Sequence, residues 1–249
     1  MIDTDLYEAK QLYPFQEKTV ESVLQEFRTN GKKFNLLYQL PTGGGKTVIF
    51  SAIAKKFIEE WGQKVLILTH RIELSVQTSR QLQAIGVKNK IINSEVKKLD
   101  DQDEYSCFIA MVETLNNRLL DDGDFIKDVG LDDFGKAKPC LIVLDYIKLM
   151  DDGTISKNIA EYQALGFLMT SLHNFMVQYG VACLAFTQLN RDGITREDTD
   201  VASGSDRILW LCSNFSIYKR KTEEEMADES VSQNNVSYNL KLIPVVARH

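Results

Sequence analysis

The residues best suited to phosphate chemistry lie between positions 35 and 50. A glycine-rich run there leads into a lysine and a threonine: Pro41, Thr42, Gly43, Gly44, Gly45, Lys46 and Thr47. Glycines let backbone N–H groups point at phosphate oxygens, and the N-terminus of a following helix adds partial positive charge. In such a loop Lys46 reaches the β- and γ-phosphates, and the Thr47 hydroxyl binds Mg²⁺. The run therefore predicts a site for a nucleoside triphosphate.

The flanking residues decide between this interpretation and a simple glycine-rich turn. Leu40 stands where the strict P-loop pattern requires glycine, so the spacing alone is incomplete. However, an apolar run at 36–38 precedes the glycines, and a helical pattern begins at Val48. The order of strand, glycine turn, Lys-Thr and helix favours the phosphate site over the turn.

A second candidate is Asp145, which follows the apolar run 140–144. A run of this kind is typical of a strand buried on both faces of a parallel sheet. A carboxylate at the tip of such a strand, beside a P-loop, holds Mg²⁺ through water. The alternative is an aspartate that only begins a turn. With the P-loop present, we predict that Asp145 is the metal carboxylate.

The elements that must position these residues alternate along the chain. Helices are predicted over 14–28, 48–60, 72–85 and 157–179. Strands are predicted over 64–69, 90–92, 106–111, 140–145, 181–186, 208–217 and 238–246, besides the one before the P-loop. Residues 119–138 are interpreted as a connection, and the acidic stretch 222–235 as a mobile loop. The alternation predicts one α/β domain, a three-layer sandwich with a mostly parallel sheet and helices on both faces.

Composition limits the class of protein. The chain has 249 residues, of which 44% are hydrophobic, enough to bury a large core. A formal charge of −6 argues against a strongly basic nucleic-acid-binding surface. The four cysteines lie far apart in apolar runs, which is typical of buried thiols in a reducing cytoplasm. Neither a signal peptide nor an 18-residue apolar stretch is found, so we expect a cytoplasmic protein without a membrane partner.

The front part of the chain resembles a known family. Four segments carry the likeness: LYPFQEKTV, QLPTGGGKT, LTHRIEL and AMVETLNNRL. Through them residues 11–130 resemble the first RecA-like domain of superfamily-two helicases, near the DEAD/DEAH-box and RadD-like branch. The resemblance implies a RecA-like fold and an ATP site in which Gln16 hydrogen-bonds the adenine edge. Tyr13 departs from the family, which usually has arginine there.

The back part resembles a different family. The segments CLIVLDYIKLM, LAFTQLNRDG, SGSDRILWL and YNLKLIPVVARH are similar to the ATPase domain of DnaB-type replicative helicases, phage versions especially. That resemblance implies that Asp145 is the Walker B acid and that Gln188 senses the γ-phosphate. It also implies that Arg248 is an arginine finger offered to a neighbouring subunit. The two likenesses together predict a chimera whose halves join between positions 128 and 136.

Joining the halves affects the catalytic base. Superfamily-two enzymes place a glutamate directly after the Walker B aspartate, where this chain has Tyr146. DnaB-type enzymes place theirs at the tip of the strand after the P-loop helix, where this chain has His70. The catalytic glutamate of neither family is therefore present in this chain. Glu73 is the nearest carboxylate of the right kind, although it also suits a helix's first turn simply as a charge.

These features together predict a helicase-type domain that binds ATP and Mg²⁺ and hydrolyses ATP slowly or not at all. Two alternatives stay open: a DNA-stimulated ATPase, and an α/β scaffold without productive nucleotide binding. Single-stranded DNA is expected to bind at most weakly, because the basic residues near the expected DNA loops are offset by many acids. A monomer is expected rather than a hexamer.

Overall fold

The structure is a computed structural model, which describes residues 11–30, 35–39, 45–96, 102–114, 141–145, 161–179, 182–187, 211–232 and 240–247. Five α-helices lie in these ranges: α1 (Pro14–Asn30), α2 (Lys46–Trp61), α3 (Ile72–Ala84), α4 (Glu161–Tyr179) and α5 (Glu223–Ser232). Eight strands accompany them: β1 (Asn35–Gln39), β2 (Val65–Thr69), β3 (Asn89–Ile92), β4 (Cys107–Met111), β5 (Leu141–Asp145), β6 (Ala182–Thr187), β7 (Asn214–Arg220) and β8 (Leu240–Ala247).

All eight strands belong to one sheet, in the order β3-β4-β2-β5-β6-β1-β7-β8. Every neighbouring pair is parallel except β7 and β8, which run antiparallel. The P-loop strand β1 is therefore separated from β5 by β6 alone. The predicted mostly parallel α/β sheet is confirmed.

One face of the sheet packs against α1, α2 and α3. Alternate strand residues join side chains of these helices in a single buried cluster, which includes Phe50, Phe57, Val65, Val143 and Leu184. At the surface the Arg28 guanidinium on α1 donates to both carboxylate oxygens of Glu60 on α2, over 2.5 and 2.8 Å. Helix α1, which carries the first of the resembled motifs, is thus fastened beside the P-loop helix.

The other face of the sheet is covered as well. Strand residues facing that way, such as Leu66, Phe108 and Ile142, are buried but lie outside that cluster. The connection from β5 through α4 to β6 runs across the sheet in the direction opposite to the connections through α2 and α3. Crossovers between parallel strands are right-handed, so opposite directions place the helices on opposite faces. Helix α4, which buries Met169 and Met176, accordingly lies across from α2.

Two predictions near the C-terminus need correction. The strand predicted over 208–217 begins only at Asn214 and continues to Arg220. The stretch 222–235, predicted as a mobile loop, contains α5. The predicted connection 119–138 and the predicted junction 128–136 lie outside the described residues.

A reciprocal cap explains why α5 forms without an apolar face. The Glu225 N–H donates to the Thr222 hydroxyl oxygen (3.2 Å), and the Thr222 N–H donates to a Glu225 carboxylate oxygen (2.8 Å). This capping box satisfies two backbone donors of the first helical turn. Glu225 also accepts from the Lys241 ammonium on β8. Local capping and this ion pair outweigh the missing hydrophobic period.

Candidate functional site

The described end of the glycine run begins α2. Gly45 has φ 77° and ψ 30°, a left-handed conformation that glycine adopts at no steric cost, and it precedes the helix directly. Lys46 and Thr47 form the first turn of α2 and are half-buried. Helix N-termini present free N–H groups and partial positive charge. Pro41, Thr42, Gly43 and Gly44, which are predicted to bind phosphate, lie outside the described residues.

Asp145 ends β5 at the same edge of the sheet. Its side chain is on the α2 face, since it continues the alternation of Leu141 and Val143, and the residue is 3% exposed. Burial raises the pKa of Asp145, while the positive charges of Lys46 and His70 oppose that shift. Burial likewise lowers the pKa of Lys46, and the Asp145 carboxylate opposes it. The structure thus brings the predicted lysine and aspartate within electrostatic reach.

The Asp145 carboxylate also carries an orphaned atom. Its Oδ1 is buried and has no hydrogen-bond partner within the described part of the chain. Buried polar groups are normally satisfied, so such an atom indicates a missing ligand or water. A hard cation such as Mg²⁺ prefers carboxylate and hydroxyl oxygens, which Asp145 and Thr47 offer.

The donor set argues for Mg²⁺ held jointly with phosphate. Among the described residues, no three His, Cys, Asp or Glu side chains gather into a metal site. Magnesium usually keeps several waters and takes one or two carboxylates together with substrate phosphates. The single buried carboxylate near Lys46 fits that mode of binding and not an all-protein cage.

Gln16 reaches the phosphate loop from α1. Its side chain is 4% exposed, and its Oε1 accepts a hydrogen bond from the Tyr13 N–H over 3.0 Å. Its Nε2 lies directly against Gly45, where an added Cβ would overlap it. The structure therefore places the predicted adenine-binding glutamine beside the P-loop. The hydrogen bond to adenine itself stays a prediction.

The tip of β2 lies next to the tip of β5. Thr69 and Asp145 are register partners in the parallel pair, so His70 follows immediately beside Asp145. The His70 Nδ1 lies 3.2 Å from the Asp145 carbonyl oxygen. This contact was not predicted from the sequence, which identified His70 only by its position at a strand tip. Partners 75 residues apart become visible only once the strand order is known.

Glu73 follows His70 by three residues. It is exposed in the first turn of α3 and borders an open surface depression of about 480 Å³. Among the described residues, those that line the depression belong to α3: Ile72, Glu73, Val76, Gln77 and Arg80. Its lining includes neither Lys46 nor Asp145. A role of Glu73 as catalytic base stays a prediction.

Two further predicted residues are not described. Gln188 comes directly after β6, whose carboxyl end lies between those of β1 and β5. Arg248 comes directly after β8, at the antiparallel edge of the sheet. Both residues lie outside the described ranges.

The strand order also indicates where a ligand binds. From β1 the chain crosses toward the β3 edge, whereas from β6 it crosses toward the β8 edge, although β1 and β6 are neighbours. In open α/β sheets, ligands bind at the carboxyl ends of strands at such a switch point. Lys46 and Asp145 flank it. The fold is that of a RecA-like P-loop domain.

The family follows from comparison with known proteins. The family model described as the Type III restriction enzyme, res subunit (ResIII) matches residues 9–164, and the chain belongs to that family. The matched region includes both the P-loop and Asp145, and it spans the predicted junction at 128–136. A relative from Saccharomyces cerevisiae, named "Putative ATP-dependent helicase IRC3", is 35% identical over 120 residues. The match covers 45% of this chain but only 17% of the yeast protein.

Solved structures show the same fold. One structure, described as an ATPase domain, superimposes with a TM-score of 0.57 at 11% identity, covering 93% of this chain and 90% of that one. A DnaB-like replicative helicase gives 0.53 at 9% identity, covering 93% and 61%. The KaiC-like protein PH0186 of Pyrococcus horikoshii gives 0.51 at 14% identity, covering 87% and 80%. At these identities the likeness supports the fold alone.

The structure contains no candidate membrane span: within the described ranges, no helix has both the length and the apolar character to cross a bilayer.

Proposed function

We propose that this domain binds ATP together with Mg²⁺ at the carboxyl edge of its sheet. The observation that supports this most directly is the buried Asp145 Oδ1, which has no partner in the described chain and lies within electrostatic reach of Lys46. An unpaired buried carboxylate oxygen costs about 1–3 kcal/mol. Such an oxygen is expected at the switch point of a P-loop fold if a hydrated cation binds to it together with the nucleotide.

The roles follow from chemistry and position. Backbone N–H groups of the run 41–47 surround the phosphates, and Lys46 supplies a point charge to the β- and γ-phosphates. Thr47 and Asp145 hold Mg²⁺, which when bound neutralises charge on the phosphate oxygens. Gln16 contacts the adenine edge. Gln188, which follows the strand between β1 and β5, senses the γ-phosphate.

We further propose that hydrolysis is slow or absent. A positioned base typically contributes about 10²–10⁴ in rate. Position 146 holds tyrosine and position 70 holds histidine, so neither glutamate position of the two resembled families is filled by glutamate. Glu73 is the candidate substitute, and its exposed position on α3 makes it a weak one.

Titration with a fluorescent ATP analogue, with and without Mg²⁺, tests nucleotide binding. Lys46→Ala should weaken binding about 10- to 100-fold, since hydrogen bonds to charged groups contribute about 1.5–3 kcal/mol. Lys55→Ala, which removes a partly exposed lysine from the same helix, is the matched control and should bind like the parent. Asp145→Asn should lose only the part of the affinity that depends on Mg²⁺.

Two results would contradict the binding proposal. Equal affinity of Lys46→Ala and the parent would refute the P-loop assignment. If the parent does not bind at nucleotide concentrations near 100 μM, its binding free energy is weaker than roughly −5 kcal/mol. That result would favour a scaffold without productive nucleotide binding.

A second candidate function is a DNA-stimulated ATPase. Membership of the ResIII family and the helicase name of the yeast relative favour it. Steady-state phosphate release with and without single-stranded DNA decides between the two. Stimulation well above the basal rate would replace the slow-hydrolysis proposal, whereas weak or absent stimulation agrees with a chain of net charge −6.

The proposed state of assembly is a monomer. In a ring of DnaB type, an arginine finger from a neighbouring subunit is worth about 10³–10⁵ in kcat. Light scattering is expected to give a monomer mass, and Arg248→Ala is expected to leave activity unchanged. A hexamer mass together with loss of activity in that variant would overturn the proposal. The two-family origin of the chain likewise remains a proposal, tested by matching each half separately against natural proteins.

A further inference from the structure

His70 contacts the backbone of the proposed metal ligand across two strands. Its Nδ1 lies 3.2 Å from the carbonyl oxygen of Asp145. A carbonyl oxygen only accepts hydrogen bonds, so Nδ1 must carry the proton. The bond joins the first residue after β2 to the last residue of β5, where the paired part of the two strands ends.

The turn that carries His70 is itself held in place. The hydroxyls of Thr69 and Ser75 are buried and lie 2.7 Å apart, and the Thr69 hydroxyl also donates to the Arg71 carbonyl oxygen over 3.2 Å. The Ser75 N–H donates to the same carbonyl. Buried, satisfied networks of this kind restrict a segment to one conformation. The imidazole therefore extends from a fixed turn, so it can hold the group that it contacts in one position.

The orientation of the Asp145 carboxylate depends on its backbone. The last pair of the ladder between β2 and β5 in the described residues is Thr69 with Asp145. The His70 bond supports its carbonyl at that end. A shift of this peptide would turn the Cα–Cβ bond and carry the carboxylate away from Lys46.

We propose that His70 is a positioning residue, which holds the Asp145 peptide so that the carboxylate is oriented for Mg²⁺ before nucleotide arrives. The inference rests on the proposed Mg²⁺–ATP site and extends it by one residue. His70 itself does not ligate the metal. Groups that orient a metal ligand typically affect metal affinity about 10- to 100-fold.

Three substitutions distinguish this positioning role of His70 from its other possible roles. His70→Ala removes the bond. In His70→Asn the amide nitrogen stands as many bonds from Cβ as Nδ1 does, so it can donate to the same carbonyl. In His70→Gln the nitrogen stands at the reach of Nε2 instead. Gln77→Ala, an exposed change on the neighbouring helix α3, serves as the control.

The measurement is the Mg²⁺ concentration that half-saturates binding of the fluorescent ATP analogue to the full chain. His70→Ala should raise it about 10-fold, while the affinity for the analogue in EDTA stays that of the parent. His70→Asn should restore the parent value, and His70→Gln should not. Far-UV circular dichroism and urea unfolding of each variant establish that the fold is retained.

Three results would overturn the inference about His70 without contradicting the proposed function. A parent-like Mg²⁺ dependence in His70→Ala would show that the bond does not orient the carboxylate. Rescue by glutamine but not by asparagine would assign the role to Nε2, and rescue by neither would remove the carbonyl bond as the cause. If the parent chain itself shows no Mg²⁺-dependent binding, the proposed function fails and this inference fails with it.

Discussion

Replacing Gly45 by alanine perturbs the first turn of α2 in two separable ways. Gly45 has φ 77°, a conformation that side chains with a Cβ rarely adopt. In addition, the new methyl group would overlap Nε2 of Gln16, a buried side chain whose Oε1 accepts from the Tyr13 N–H. Gln16 would have to move, and its hydrogen bond at the start of α1 would weaken.

A backbone cost and a hydrogen-bond cost both lower the free energy of unfolding of this variant. A residue with a Cβ in the left-handed region costs about 1–2 kcal/mol. Loss of the Tyr13–Gln16 hydrogen bond adds about 0.5–1.5 kcal/mol. Gly45→Ala should therefore lower the free energy of unfolding by about 1.5–3.5 kcal/mol. Gly62→Ala is the matched control, because Gly62 has φ 63° but a Cβ there meets no heavy atom within 4 Å.

Equilibrium unfolding in urea measures both variants. Gly62→Ala should show the backbone cost alone, and the difference between the two glycine variants should report the Gln16 contact. In the double variant Gln16→Ala/Gly45→Ala the overlap is absent. Its loss of unfolding free energy should therefore be smaller than the sum of the losses in the two single variants. Equal destabilisation of the two glycine variants, or strict additivity in the double variant, would refute the packing of Gln16 on the P-loop.

Three further predictions concern the catalytic base, the buried carboxylate and α5. Tyr146→Glu should restore part of the hydrolysis rate with little change in ATP affinity if superfamily-two geometry governs the site. If DnaB-type geometry governs it, His70→Glu should restore part of the rate at saturating Mg²⁺, although loss of the bond to the Asp145 carbonyl should weaken Mg²⁺ binding. Phosphate release by both variants decides, and failure of both, with Glu73→Gln inactive, would identify Glu73 as the base. Because burial raises the pKa of Asp145, its ionised form destabilises the fold above that pKa, and this cost is lost as pH falls through it. Asp145→Asn should therefore flatten this part of the pH profile of nucleotide-free stability, as measured by urea unfolding; an unchanged profile would contradict the burial argument. Thr222→Ala should cost about 1 kcal/mol of local helix stability and speed hydrogen exchange at the Glu225 amide, since the cap bond is lost; unchanged exchange there would refute the capping box.

The helices and strands were predicted best where burial is strongest. The run 64–69 predicts a strand buried on both faces, and β2 spans Val65–Thr69 with four of its residues buried. The helix predicted over 72–85 matches α3, Ile72–Ala84. A buried element must carry apolar residues at its own period, so its pattern is visible in the sequence. This is why these bounds agree within one or two residues.

Prediction failed where capping and ion pairing stabilise an element in place of a hydrophobic face. Helix α5 has three glutamates in its first turn and no apolar stripe that the hydrophobic pattern could report. The Thr222 and Glu225 capping residues are present in the sequence, but the hydrophobic period does not report them. The ion pair with Lys241 depends on β8 lying beside the helix, which no local pattern indicates.

The candidate chemical residues were predicted from sequence alone. The glycine run with Lys46 and Thr47, and the acid at the tip of an apolar run, each lie within one short segment, so spacing alone identified them. Only the tertiary structure decided how the segments meet. It inserted β6 between β1 and β5, packed Gln16 on Gly45 and brought His70 to the Asp145 carbonyl. These contacts depend on strand order and helix face, which arise from packing of the whole chain and leave no periodic signal in any single segment.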